Sequence, residues 1–377
     1  MDKLSDAIRK ETWDKVLKFI ALSEEPPPYL LIDGEVVREK VSVIGKNIRN
    51  ARVFYAVKAN PDVEVLRFVN GLGIGFEIAS EGELDILASL GVDASRIITS
   101  NPIKTFKFLE RAASYGIAYY AYDSVPEVEK MARYLPGANV YVRLSVPNEG
   151  SEWPLSKKFG VELDEALDLL VSAAERGLNP VGITFHVGSQ CTNIYNWYTA
   201  LDKARQLWEM AEERGVRLRM LNIGGGYPIR YTKTVVDIET IDRKIDTVLS
   251  QKFPREIEIF IEPGRAVIGD AGVFVSTVIG KARRGDENWL YIDVGVFNGL
   301  MESVGGIKYT YTVGSRSEPK RWTIAGPSCD SFDVIDREVE LPEPEVGNRL
   351  LILSSGAYTV SYASEFNGFA IPKNILI

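Results

Sequence analysis

The sequence predicts an α/β protein in which a (β/α)8 TIM-like barrel over residues 29–265 is preceded by a helical segment, 1–28, and followed by a mostly antiparallel β domain, 266–377. Two observations predict this class. From about residue 52 to 265, short β-branched or aromatic runs alternate with longer amphipathic stretches, the pattern of βα units around a parallel sheet. Beyond about residue 266 the helical period stops, and β-type runs separated by Gly-rich turns take over. About eight βα units in a little over 200 residues match a barrel in count and length, although a doubly wound open sheet shares the pattern.

The first 28 residues carry a helical pattern, are expected to pack on the β domain, and end in the stiff run Pro26-Pro27-Pro28 before Tyr29 to Ile32. Barrel strands are expected at 52–58, 75–79, 96–100, 118–122, 140–145, 182–187, 220–223 and 258–262. Between them, Leu84, Leu87 and Ala88 share one face of a helix over 81–90, and Leu201, Ala204, Leu207 and Trp208 one face of a helix over 197–214. Strands of the second domain are expected at 273–279, 289–294, 309–313, 321–325 and 349–353. In a parallel barrel all strand C-termini open on one rim, and here several of them end in polar or Gly-rich residues.

Composition limits the function classes. With 45% hydrophobic and 25% charged residues, a disordered or fibrous chain is excluded. No apolar run approaches the roughly 20 residues that span a bilayer, and the start lacks the basic and apolar regions of a signal peptide, so a cytoplasmic protein with no membrane partner is expected. Cys191 and Cys329 are too few for a disulfide framework. The net charge of −8, with no Lys/Arg block, argues against a nucleic-acid partner and suits a cationic substrate.

Lys58 follows the apolar run Phe54-Tyr55-Ala56-Val57, so its ammonium faces a desolvation cost unless it is paired or used covalently; taken alone, a strand-end lysine reaching to solvent is the plainer reading. Gly224-Gly225-Gly226 after a strand lets the backbone close on a phosphate, or makes a tight turn. Glu262-Pro263-Gly264-Arg265 puts a carboxylate and a guanidinium on the same rim. A lysine for an imine, a carboxylate for a pyridinium nitrogen, and a Gly-rich loop with an arginine for a phosphate are what pyridoxal phosphate asks of a protein. His186 is the sole histidine, and with no Cys/His cluster a zinc site or a Ser-His-Asp triad is poorly supported; by itself it reads equally as a satisfied core histidine, but its strand end on that rim favours packing flat on an aromatic cofactor. Cys329 in Gly326-Pro327-Ser328-Cys329-Asp330 reads by itself as a structural thiol, which the neighbouring acid would keep protonated.

An ordered set of segments resembles the fold-type III pyridoxal phosphate decarboxylases, which act on ornithine, lysine, arginine or diaminopimelate. It comprises Tyr55-Ala56-Val57-Lys58-Ala59-Asn60, Leu155-Ser156-Lys157-Lys158-Phe159-Gly160, His186-Val187-Gly188-Ser189-Gln190, Gly224-Gly225-Gly226, Glu262-Pro263-Gly264-Arg265, Gly326 to Asp330, Gly356-Ala357-Tyr358 and Phe366-Asn367-Gly368-Phe369. The resemblance implies that Lys58 carries the cofactor as a Schiff base, Glu262 pairs with its ring nitrogen and His186 stacks on the ring. It further implies that Ser189, Gly224, Gly225, Gly226, Gly264, Arg265 and Tyr358 hold the phosphate, with Glu77 and Arg143 beside the cofactor. It implies a head-to-tail homodimer in which Cys329, as proton donor, and Asp330 complete the partner's pocket. Asp330, Glu302 and Phe366 are expected to bind the substrate, Glu302 reading a distal cation. Ornithine is the expected substrate, giving putrescine for polyamine synthesis, with lysine, arginine and then diaminopimelate as alternatives. Outside the class stand an amino-acid racemase, which needs bases on both faces of Cα, and a non-catalytic antizyme-inhibitor-like protein, which would be expected to have lost Lys58 or Cys329.

Overall fold

The computed structural model describes residues 7–153, 158–315 and 317–377. Leu155, Ser156 and Lys157 of the expected 155–160 motif lie outside the described residues. Eight parallel strands run in sequence order: Ala51–Ala56, Gly75–Glu77, Ile97–Ile98, Tyr119–Tyr122, Asn139–Arg143, Asn179–Thr184, Met220–Asn222 and Glu258–Ile261. Each pairs with the next, a bridge between Thr99 and Tyr120 joins the third to the fourth, and Ile259↔Ala51 pairing returns the last to the first. This closure decides for the barrel over the open sheet.

The barrel closes because alternate residues of each strand point to opposite faces. Phe54, Ile98, Ala121, Tyr141, Val181, Met220 and Phe260 form one buried cluster inside it, with the rings of Phe54 and Phe260 4.8 Å apart. Their neighbours, such as Tyr55, Tyr120, Val140, Val142, Leu221, Ile259 and Ile261, face the helical layer in the main core. Gly182 is where the interior has no room for a side chain: a Cβ would sit 2.4 Å from the Met220 carbonyl oxygen. The βα turns cap their own helices, as Ser80, Thr105 and Asp237 accept hydrogen bonds from Glu83, Phe108 and Thr240 N–H groups.

The second domain is an eight-stranded sheet. Its main path runs from Thr310–Val313 through Arg349–Leu353, Gly272–Arg284, Glu287–Ile292 and Pro319–Ala325 to Val334–Pro342, with one parallel pair, Glu287–Ile292 on Pro319–Ala325, among antiparallel ones. Tyr29–Ile32, expected at the start of the barrel segment, belongs to this sheet. It lies antiparallel to Gly272–Arg284 and parallel to Lys373–Leu376, and its four buried residues have partners there. The chain enters the barrel only after it. The helix Lys10–Leu22 lays Val16, Trp13, Phe19 and Ile20 on the same sheet, against Tyr29, Leu31, Val273, Val275, Leu351 and Leu353. Among the described residues no helix is long and apolar enough to cross a membrane.

Candidate functional site

The expected barrel strands overrun the observed ones mainly at their C-terminal ends, and that overrun is the site. The chain leaves the sheet at Ala56 for a short 3-10 turn, Val57–Ala59, tied back by Ala56 N–H to the Pro263 carbonyl and Tyr358 N–H to the Ala59 carbonyl. Lys58 stands on this turn. Its Nζ lies 2.9 Å from Glu77 Oε2, and its side chain, a little under half exposed, lines a cavity of about 550 Å³ with Glu77, Ser100, Arg143, Phe159, His186 and Glu262 among the walls. Burial pulls the Lys58 ammonium down, but Glu77, Tyr358 and Glu262 push it up and prevail. A larger cleft, about 690 Å³, lies between Thr310–Val313 and Val334–Pro342 and holds neither a lysine nor a histidine.

Glu262, just past Glu258–Ile261, is 7% exposed. Its Oε1 accepts from Ser100 Oγ and from Asn222 Nδ2 at 2.5 Å, which fixes the carboxyl plane and commits that oxygen. Burial, with Glu77 adding to it, pushes the carboxyl up to about 7. His186 accepts the Gly188 N–H on Nδ1 at 3.0 Å, so a neutral ring carries its proton on Nε2. Burial first, then Arg143 and Lys58, holds it well below the ordinary histidine value, and it presents an uncharged ring to the cavity. Arg143 lies under the ring of Phe159, 5.3 Å from its centroid, and burial lowers its pKa.

A small recess of about 20 Å³ adjoins this cavity, sharing Lys58, His186 and Glu262 with it and lined further by Ser189, Gly226, Gly264, Arg265 and Tyr358. Its floor is backbone that admits no side chain. A Cβ would meet the Glu262 carbonyl oxygen at 2.4 Å from Gly225, the Gly188 carbonyl oxygen at 2.6 Å from Gly226, and the Ala59 Cβ at 2.9 Å from Gly264. Gly224 N–H is used by Asn222 Oδ1, whereas Gly225 and Gly226 N–H groups have no acceptor among the described residues. Tyr358, with φ 55°, lays its ring 4.8 Å from the Arg265 guanidinium. Unpaired N–H groups, a hydroxyl and a guanidinium around a recess closed to side chains fit a phosphate. The cavity beside it, with lysine, flat imidazole and raised carboxyl, fits the ring of pyridoxal phosphate.

Other expected residues lie elsewhere. Glu302, expected to read the substrate's distal cation, is turned to Arg265: both carboxylate oxygens accept from its guanidinium at 2.7 Å, inside a pair 3% and 2% exposed. Both oxygens face that guanidinium, and Glu302 lines neither the cavity nor the recess. Cys329, Asp330 and Phe366 line neither cavity of their own chain. They form one exposed patch on the β domain, where Cys329 Sγ donates to Asn367 Oδ1 at 3.3 Å, Asp330 caps Phe332 N–H at 2.8 Å, and Phe366 and Phe332 flank Phe297.

Ser100, Asn222 and Tyr141 were not singled out by sequence, although the first two are polar residues at the ends of apolar strands and Asn222 is fully buried. Lys104 was missed as well. It is buried against the carbonyls of Asn101, Pro102 and Ala121 and against Glu127 at 3.0 Å, and burial draws it down to about 8.

Residues 35–269 match the family model "Pyridoxal-dependent decarboxylase, pyridoxal binding domain". The lysine/ornithine decarboxylase of Selenomonas ruminantium is 38% identical over 354 residues, 93% of this chain and 90% of that protein. The solved structure of the Vibrio vulnificus lysine/ornithine decarboxylase complexed with putrescine superposes with a TM-score of 0.89 at 31% identity, covering 98% of this chain and 99% of the other. The Paramecium bursaria Chlorella virus arginine decarboxylase bound to agmatine superposes with a TM-score of 0.91 at 25% identity, covering 97% and 100%.

Proposed function

The chain belongs to the pyridoxal-dependent decarboxylase family and is a decarboxylase of basic amino acids; from that premise we propose that its substrate is L-ornithine, converted to putrescine and CO2. When bound, pyridoxal phosphate supplies a conjugated, protonated ring that takes up the electron pair of the broken bond between Cα and the carboxylate. The protein's part is to hold, orient and move protons. Lys58 would hold the cofactor covalently through Nζ, with Glu77 orienting that ammonium beforehand. Glu262, its Oε1 fixed by Ser100 and Asn222, would as a carboxylate keep a proton at the ring nitrogen through Oε2, the positive ring favouring the ionised form that burial alone opposes. Neutral His186 would face the ring, while Ser189, the Gly224–Gly226 backbone, Gly264, Arg265 and Tyr358 would hold the phosphate.

Cys329 and Asp330 would act on the partner's Lys58 in a homodimer, Cys329 returning a proton to Cα. Their exposure beside Phe332 and Phe366, away from the cavity of their own chain, supports this reading. The observation that carries the cationic substrate is Asp330, an exposed carboxylate without an ion pair among the described residues, directly after the proposed proton donor. Lysine is the second reading, since the Selenomonas relative is named for both lysine and ornithine.

The test is CO2 release from ornithine, lysine, arginine and diaminopimelate. Ornithine should give the highest kcat/KM, and a higher value for lysine would replace the proposal. Interconversion of enantiomers without CO2 would overturn decarboxylation itself.

A further inference from the structure

Arg265 has five N–H hydrogens, and each has an acceptor within the chain. Two go to the Glu302 carboxylate at 2.7 Å, two to Ser189 Oγ at 3.0 and 3.2 Å, and one to the Tyr231 hydroxyl. Glu302 covers the outer edge of the guanidinium, and the Nε edge is turned to Ser189, a wall of the recess. Both partners are at most 3% exposed, so water offsets neither charge. A guanidinium buried alone is costly, and a dianion brought to a guanidinium already paired gains less than from a free one.

We propose that Glu302 is a resident counter-ion of Arg265: it stabilises the cofactor-free protein and, by holding Arg265 as a neutral pair, loosens the grip on the cofactor's phosphate. This rests on the recess being the phosphate subsite. Glu302 is then a positioning residue of the cofactor site. The loss of its charge should act on cofactor affinity and leave the distal end of the substrate alone.

The experiment compares wild type, Glu302→Gln and Glu302→Asp, stripped of cofactor and titrated with pyridoxal phosphate or with pyridoxal, which lacks the phosphate. Glu302→Gln should melt at a lower temperature than wild type when stripped, yet bind pyridoxal phosphate on the order of tenfold more tightly, well below the Coulomb energy of two charges in contact because Glu302 meets Arg265 on the edge away from the recess. Its affinity for pyridoxal should not change. Glu302→Asp, which keeps the charge, should stay close to wild type in both measurements. If Glu302→Gln folds only with cofactor supplied, the rate of cofactor loss from the holoenzyme reads the same effect, and the variant should release it more slowly. Unchanged or weaker binding by Glu302→Gln, or Glu302→Asp behaving like Glu302→Gln, overturns the proposal. Failure of the phosphate reading looks different: wild type itself would bind pyridoxal as tightly as pyridoxal phosphate.

Discussion

Replacing Glu262 by glutamine removes an ionisable oxygen from the site and leaves its scaffold in place. Oε1 accepts from Ser100 and Asn222, and a glutamine oxygen can keep both bonds, so neither donor is orphaned. In the wild-type protein burial and Glu77 hold this carboxyl at about 7 in place of its ordinary 4.5. At 1.36 kcal/mol per tenfold change, the folded state penalises the ionised form by about 3 kcal/mol. The folded pKa lies above the unfolded one, so between these values the folded protein binds more protons, and stability falls as pH rises through the window. Glutamine lacks that penalty. The stripped variant should therefore exceed wild type by under about 1 kcal/mol at pH 5 and by about 3 kcal/mol at pH 8. Glu83, raised to about 7 by burial, and Asp242, raised to about 6 by burial, give both proteins a common slope, so the difference between the proteins is the quantity to follow. Urea denaturation of the two stripped proteins at both pH values measures it. A difference that is the same at pH 5 and pH 8 would refute the assignment of the raised pKa to Glu262. With cofactor restored, the same variant should lose on the order of a hundredfold in kcat, because the group proposed to hold the ring proton is gone.

Gly226→Ala forces a side chain into φ 99° and within 2.6 Å of the Gly188 carbonyl oxygen, so it should destabilise the stripped protein by on the order of 2 kcal/mol and weaken pyridoxal phosphate binding in an absorbance titration. Wild-type affinity in this variant would show that the glycine is not part of the cradle. Lys104→Met leaves three buried carbonyl oxygens without their lysine donor and Glu127 with Lys130 as its remaining cation and the residue 104 N–H as a further donor, and should lower the unfolding free energy by about 3 kcal/mol with little change in KM. A loss confined to kcat would give Lys104 a role in the chemistry. Lys58→Ala and Cys329→Ala subunits, each inactive alone, should recover about a quarter of wild-type activity when randomly mixed as dimers, since half the dimers then carry one intact site. No recovery in demonstrated heterodimers would place Cys329 and Lys58 in the same subunit's site.

The barrel was legible because its strands announce themselves as apolar runs at regular spacing, and each expected strand overlaps an observed one. The strand-end residues Lys58, His186, Val187 and Glu262 were legible as a rim because a parallel barrel gathers all such ends on one side. What could not be read was pairing across the domain boundary. Glu302 looks like a free acid in Leu300-Met301-Glu302-Ser303, and only the fold brings its two oxygens to Arg265. Tyr29–Ile32 failed for a related reason: a short fully buried strand carries no alternation to say which sheet it joins. Lys104 was invisible because its partners are mostly main-chain carbonyls, which leave no mark in a sequence.

The pairing of Tyr29–Ile32 with Gly272–Arg284 on one side and Lys373–Leu376 on the other has a consequence for the order of assembly. The barrel is threaded between these strands in sequence and owes none of its strand pairing to them, so it can form while synthesis is still in progress. The β domain cannot complete its sheet until residues 373–376 have left the ribosome, and closing so long a loop is entropically slow. In the interval Tyr29–Ile32 is an apolar strand with open edges, held beside a finished barrel, and that stage is where the nascent chain is most exposed to aggregation.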